Sequence, residues 1–174
     1  TRGNILFIGS TFSSNTSTNG GAVAIEGGNI TFINNTISGN TASGQGGAIY
    51  TGFNAVVLMQ NNTITNNTAG TQGGGIHNIF AGTVTLHNNI VAGNNAATGS
   101  QCFNDTTLGG TVITANSYNV LGSGGSAGGC PAGATDIVPA GAIGTILSPL
   151  ANNNGPTLTH ALVTGSPALD AANL

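Results

Sequence analysis

Four stretches of this chain repeat one pattern: an apolar residue, two variable residues and an asparagine. They are Phe12-Ser13-Ser14-Asn15, Ile37-Ser38-Gly39-Asn40, Ile64-Thr65-Asn66-Asn67 and Val91-Ala92-Gly93-Asn94. The asparagines are separated by 25, 27 and 27 residues. A second mark follows the first three copies at a near-constant offset: Gly20-Gly21-Ala22-Val23, Gly46-Gly47-Ala48-Ile49 and Gly73-Gly74-Gly75-Ile76. A period in the twenties means stacked units, each too thin to bury a core alone. That settles architecture before function, because a stacked scaffold carries many activities or none.

Within each period the apolar residues alternate in runs of three to five, broken by Asn and Gly, which is the signature of short strands. The second unit runs Asn29-Ile30-Thr31-Phe32-Ile33, turns at Asn34-Asn35 and continues Thr36-Ile37-Ser38. The third and fourth units repeat this order, with Asn61-Asn62 and Asn88-Asn89 at the turn. Gly, Asn and β-branched residues throughout disfavour helix. The expected fold is all-β: a right-handed parallel β-helix of about five coils, three short strands per coil. Coils occupy residues 1–121, and residues 122–174 form an irregular C-terminal segment of the same domain that covers the last coil. Rungs about 4.8 Å apart stack Phe12, Ile37, Ile64 and Val91 inside, and Asn15, Asn40, Asn67 and Asn94 at a corner. An asparagine corner tolerates left-handed backbone angles, and its amide bonds the same residue one coil up, where stacked aspartates would repel. Residues 95–110 read as an excursion, Thr111–Thr114 and Tyr118–Leu121 as an irregular fifth coil, and the Gly-rich run from Gly122 to Gly129 as a plain loop.

Composition bounds the partners. Only 3% of residues are charged and the formal net charge is −3. With one Lys or Arg in total, nothing is available to neutralise a phosphate backbone or to form a polybasic membrane patch. Nucleic-acid binding is therefore excluded. No apolar run approaches the roughly 20 residues of a membrane-spanning helix, and no leader is legible at Thr1, which reads as a processed end if the protein is exported. Cys102 and Cys130 are either two buried thiols or a disulfide. Their loop-rich setting favours the disulfide and an oxidising, extracellular compartment, where closing such a loop contributes roughly 3 kcal/mol.

The apolar–x–x–Asn and Gly-Gly-Ala-Ile marks resemble the repeats of the polymorphic outer-membrane-protein class of parallel β-helices. Asn119-Val120-Leu121-Gly122, Cys130, the stretch from Leu147 to Leu162 and Gly165-Ser166-Pro167-Ala168-Leu169-Asp170-Ala171 resemble the bacterial choice-of-anchor Q surface domain. The resemblance implies an exported protein held at a bacterial surface by a separate sorting segment. Such domains continue past the Ser-Pro-Ala-Leu-Asp stretch, so the chain reads as a fragment or a trimmed subunit.

Candidate chemistry is sparse. The acids Glu26, Asp105, Asp136 and Asp170 are scattered, with no two expected on stacked positions, whereas polysaccharide cleavage calls for paired carboxylates or a carboxylate with a base. His77, His87 and His160 read as isolated, short of the three or four converging ligands of a zinc site. No metal, cofactor or enzymatic activity is expected. Asn15, Asn29, Asn35, Asn62, Asn67 and Asn104 head Asn-x-Ser/Thr triplets, and a glycan at Asn67 conflicts with its place in the ladder. The expected role is structural: a subunit of a secreted, cell-surface filament, sheath or adhesin-type scaffold, with other copies of itself as head-to-tail partners through open coil ends. The alternative is a carbohydrate- or surface-binding adhesin face, with Thr31, Thr63, Thr83 and Thr85 as regular hydroxyls. A polysaccharide lyase or hydrolase and an ice-binding face rank below it.

Overall fold

The computed structural model describes residues 3–109, 112–115, 117–122 and 129–172. Thr1, Thr111, Leu174 and most of the expected loop between Gly122 and Gly129 lie outside them. The first coil is β1 (Asn4–Ile8), β2 (Thr11–Ser13), β3 (Thr16–Ser17) and β4 (Val23–Ile25). The second is β5 (Asn29–Ile33), β6 (Thr36–Ser38), β7 (Thr41–Ala42) and β8 (Ile49–Thr51). The third is β9 (Val56–Gln60), β10 (Thr63–Thr65), β11 (Thr68–Ala69) and β12 (Ile76–Asn78). The fourth holds β13 (Thr83–His87), β14 (Ile90–Ala92) and β15 (Cys102–Asn104), and an incomplete fifth holds β16 (Val112–Thr114) and β17 (Val120–Leu121).

Equivalent strands pair in parallel from coil to coil and build four sheets along the axis: β1-β5-β9-β13-β16, β2-β6-β10-β14-β17, β3-β7-β11 and β4-β8-β12-β15. The first three coils therefore carry four strands each, not three. The extra one is the two-residue pair at Thr41–Ala42 and Thr68–Ala69, too short to show an alternating pattern in the sequence. Of the expected excursion at 95–110, the described residues 95–109 do not form a simple loop. Thr98 bridges to Gln72, and Cys102, Phe103 and Asn104 continue the fourth sheet on Ile76, His77 and Asn78.

Inward-facing residues stack in register. Phe12 lies on Ile37, Ile37 on Ile64, Ile64 on Val91 and Val91 on Leu121. Ile37, Ile64 and Val91 are fully buried, and Phe12 packs half-buried against the same cluster. Burying one such side chain contributes roughly 1.5–3 kcal/mol, and the stack exists only because coils lie on one another. Phe7 stacks on Phe32 with ring centroids 4.9 Å apart.

The Gly-Gly mark has a steric cause at two neighbouring positions. Gly46 sits at φ +67, which L side chains rarely adopt. At Gly47 a Cβ would run into the carbonyl oxygen of Gly74 in the next coil and lie 2.6 Å from the Thr68 carbonyl carbon. Only a hydrogen fits between these rungs.

The tail does more than cover the last coil. Ala132 bridges to Ala115 and Ile137 to Val120, so residues 129–137 lie over the fifth coil. Beyond them β18 (Leu147–Ala151) and β19 (Thr159–Leu162) form an antiparallel hairpin. The hairpin runs back along the second sheet: Thr11 Oγ1 donates to Leu158 O at 2.7 Å, and Ser38 Oγ lies 2.9 Å from His160 Nε2. His160 Nδ1 lies 2.6 Å from Ser148 O. Because a carbonyl only accepts, Nδ1 carries the proton, Nε2 accepts from the Ser38 hydroxyl, and the imidazole pins hairpin to coil. No helix among the described residues is long and apolar enough to cross a membrane.

Candidate functional site

The most organised polar structure is the pair of asparagine ladders at two corners. At one, Asn15 donates its backbone N–H (3.0 Å) and its Nδ2 (2.9 Å) to Asn40 Oδ1. Asn40 does the same to Asn67 Oδ1, both at 2.9 Å, and Asn67 to Asn94 Oδ1 at 3.0 and 2.9 Å. The remaining Nδ2 hydrogen reaches back to a carbonyl of the preceding coil: Asn40 to Phe12 O, Asn67 to Ile37 O and Asn94 to Ile64 O. Each carboxamide thus satisfies main-chain groups that a bend in a strand leaves without partners, which is what burial demands.

A second ladder runs along the neighbouring corner through Asn35, Asn62, Asn89 and Asn119. Sequence reading placed the first three of these in turns and missed their stacking. Their recurrence with the period is legible, but not which asparagine of each Asn-Asn pair turns inward; the structure shows it is the one just before the three-residue strand. The left-handed residue at each corner is not the ladder asparagine but the one before it: Ser14, Gly39, Asn66 and Gly93 at the first corner, Gly9, Asn34, Asn61, Asn88 and Tyr118 at the second, all with φ between 55 and 70. The turn points the following carboxamide inward. Asn35, Asn40, Asn62, Asn67 and Asn89 are at most 2% exposed, so the triplets headed by Asn35, Asn62 and Asn67 are closed to glycosylation in the folded chain; Asn15 and Asn29 are exposed.

Both ladders end on residues that only need to accept. Asp136 Oδ1 takes the Asn119 N–H (2.8 Å) and Nδ2 (3.0 Å) and the Ser117 N–H, while Oδ2 takes the Gly133 N–H. Gln101 Oε1 takes the Asn94 N–H and Nδ2 at 3.3 and 3.0 Å. A carboxylate would repel its like inside the stack, but at the last rung it accepts four N–H groups and has no donor to place. Cys102 and Cys130 form a disulfide that ties the covering segment to the last strand of the fourth sheet.

The titratable groups do not converge. Among the described residues no three His, Cys, Asp or Glu side chains are grouped to hold a metal ion. Glu26 and Asp105 share one column, contrary to the expectation that no two acids would. Gly52 and Ile79 occupy the rungs between them, a separation of about 14 Å at 4.8 Å per rung, beyond the reach of a carboxylate pair. Thr31, Thr63, Thr83 and Thr85 form no row either: Leu58 separates Thr31 from Thr85, Thr83 stands beside Val56, and Thr63 lies on another sheet.

His77 is fully buried in an outer stack, with its ring centroid 5.4 Å from Tyr50 and 5.5 Å from Phe103. Burial lowers its pKa to about 4, with the nearby Asp105 opposing the shift. Burial, then the charges of Glu26 and Asp105, raise that of Tyr50. Hydrogen bonds from Thr107 hold Asp105 low. An imidazole kept neutral by the fold titrates near 6.5 once unfolded, so the unfolded chain binds the extra proton between those values. The contribution of His77 is complete above pH 6.5 and is lost as pH falls toward 4. Urea midpoints between pH 7 and pH 4 should fall for the native chain and fall less for His77→Phe, which keeps the ring stack. Equal slopes would contradict this account of His77.

No curated protein and no solved structure matches the chain. A family model described as "right handed beta helix region" matches residues 1–131, the stretch that holds all five coils, both ladders and the disulfide. The chain belongs to the right-handed β-helix family.

Proposed function

We propose that this chain is a structural module of an extracellular surface scaffold, of the filament, sheath or adhesin type, joined end-on through its first coil. The observation that carries the reading is the stack of parallel coils held by two buried asparagine ladders, an arrangement that extends by adding rungs. Among the described residues the first coil leaves its four strands as sheet edges, and its inward-facing Ile5, paired with a buried Ile30, is 50% exposed. Phe7 and Phe12 beside it are only half-buried. Open parallel edges over an apolar interior invite strand addition. The near absence of charge removes the usual deterrent, the disulfide suits an oxidising compartment, and the resemblance of the tail to a surface-anchored domain supports the location. In a head-to-tail array the first coil of one copy would meet residues 129–137 of the next.

Sedimentation of the purified chain tests this. Association should rise with concentration, vanish in Ile5→Lys and persist in Leu108→Lys, which places the same charge at an exposed site outside the first coil. Monomers up to several hundred micromolar would count against end-on assembly of copies.

A further inference from the structure

Gln101 accepts at the end of the first ladder, but unlike Asp136 it also carries donors. Its Oε1 takes the Asn94 N–H and Nδ2, and its Nε2 meets no acceptor among the described residues. The side chain is only 4% exposed. With Oε1 turned to Asn94, Nε2 is left to a cavity of about 250 Å³ that Gln101 lines. This cavity lies between the corner of the fourth coil and the tail. Ile143 of the tail comes so near that corner that a Cβ on Gly93 would sit 2.8 Å from the Ile143 Cβ. Asn94, Ser100 and Gln101 supply the polar lining, and Ala92, Ile143 and Ile146, which pack in one cluster, supply the apolar lining. Among the described residues no charged side chain lines it.

We infer that this cavity is a binding site for a neutral acetamido group. A buried N–H donor demands an acceptor. A charged ligand would shed its water here and meet no countercharge, which selects a neutral one. An amide carbonyl is a strong neutral acceptor for the Gln101 Nε2. The methyl group beside that carbonyl suits Ala92, Ile143 and Ile146, and Ser100 Oγ can accept the amide N–H. The volume falls below the roughly 300–1,000 Å³ of pockets that hold drug-sized ligands, so the occupant is one small unit. Its bearer is an N-acetylated sugar or a small free amide. The site is independent of end-on assembly, because its walls are the fourth and fifth coils and the tail.

The test titrates the whole nitrogen-15-labelled chain with acetamide, N-acetylglucosamine and glucose, reading the Gln101 Nε2 signals and the backbone amides of Gly93 and Ile143. The first two probes should give saturable shifts with half-saturation on the order of millimolar, and glucose, which has no amide, should be at least about ten-fold weaker. Gln101→Glu keeps an acceptor for Asn94 and replaces the free donor by a second acceptor. It should weaken binding of both amides at least about ten-fold while leaving exchange of the Asn67 carboxamide unchanged. Ser100→Ala, which touches no ladder bond, should weaken it about three-fold. Saturation by acetamide but not by the sugar upholds the site and removes the sugar as its source. No saturable shift with either amide up to about 200 mM, equal shifts with glucose, or undiminished binding in Gln101→Glu overturns the inference.

Discussion

Asn67→Ala should destabilise the fold by on the order of 4 kcal/mol, a fall of about 10 °C in melting temperature for a chain of this length. Truncation strips the acceptor from the Asn40 N–H and Nδ2, and the donor from Ile37 O, Thr65 O and one lone pair of Asn94 Oδ1. The site is fully buried, so water cannot take over these groups, and each orphan costs roughly 1–3 kcal/mol. Asn15→Ala, at the exposed end of the same ladder, should cost only about 1 kcal/mol. Asn67→Asp should be worse than alanine at neutral pH, because a buried carboxylate would face the Ile37 and Thr65 carbonyls and Asn94 Oδ1. It should recover as pH falls and the side chain protonates. Urea denaturation of the three variants at pH 7 and pH 3.5 checks both statements; equal costs for Asn15→Ala and Asn67→Ala would show that the ladder carries no special weight.

Gly47→Ala should be as damaging through a different cause, at about 3 kcal/mol or more, or enough to prevent folding. A methyl group there occupies space already held by the main chain of Gly74 and Thr68. Main chain cannot move aside as a flexible side chain does, and prying the rungs apart would break the pairing of Thr41 with Thr68. Gly39→Ala is the matched control. Gly39 sits at φ +67 with nothing within 4 Å of its added Cβ, so it meets only the left-handed penalty of about 1–2 kcal/mol. Comparable losses for the two variants would remove the argument for close approach between rungs.

The parts of this fold that repeat once per coil were legible, because stacking turns spatial neighbours into residues 25 to 30 apart in sequence. The column Phe12, Ile37, Ile64, Val91 and its neighbouring asparagines could be aligned by period alone. What the period could not show was the chemistry between corners. Two-residue strands such as Thr41–Ala42 are shorter than one cycle of alternation, so the sheet β3-β7-β11 left no pattern. Asn35 and Asn62 follow Asn34 and Asn61, and sequence does not say which member of an Asn-Asn pair makes the turn and which turns inward. Asp136 lies outside the repeat altogether, 17 residues from Asn119, and its role as a terminal acceptor follows only from the segment folding back over the fifth coil. The hairpin contact between His160 and Ser38 spans 122 residues, with no local signal at either end.

Side-chain amide exchange, read by nitrogen-15 NMR on the native chain, tests the ladders most directly. The carboxamide hydrogens of Asn40, Asn62, Asn67 and Asn89 should exchange on the timescale of the buried strand amides around Ile64, opening only with the coils themselves. Exchange of those four side chains at the rate of a free amide in water would mean that the corners do not stack, and the account of what holds the coils together would be wrong.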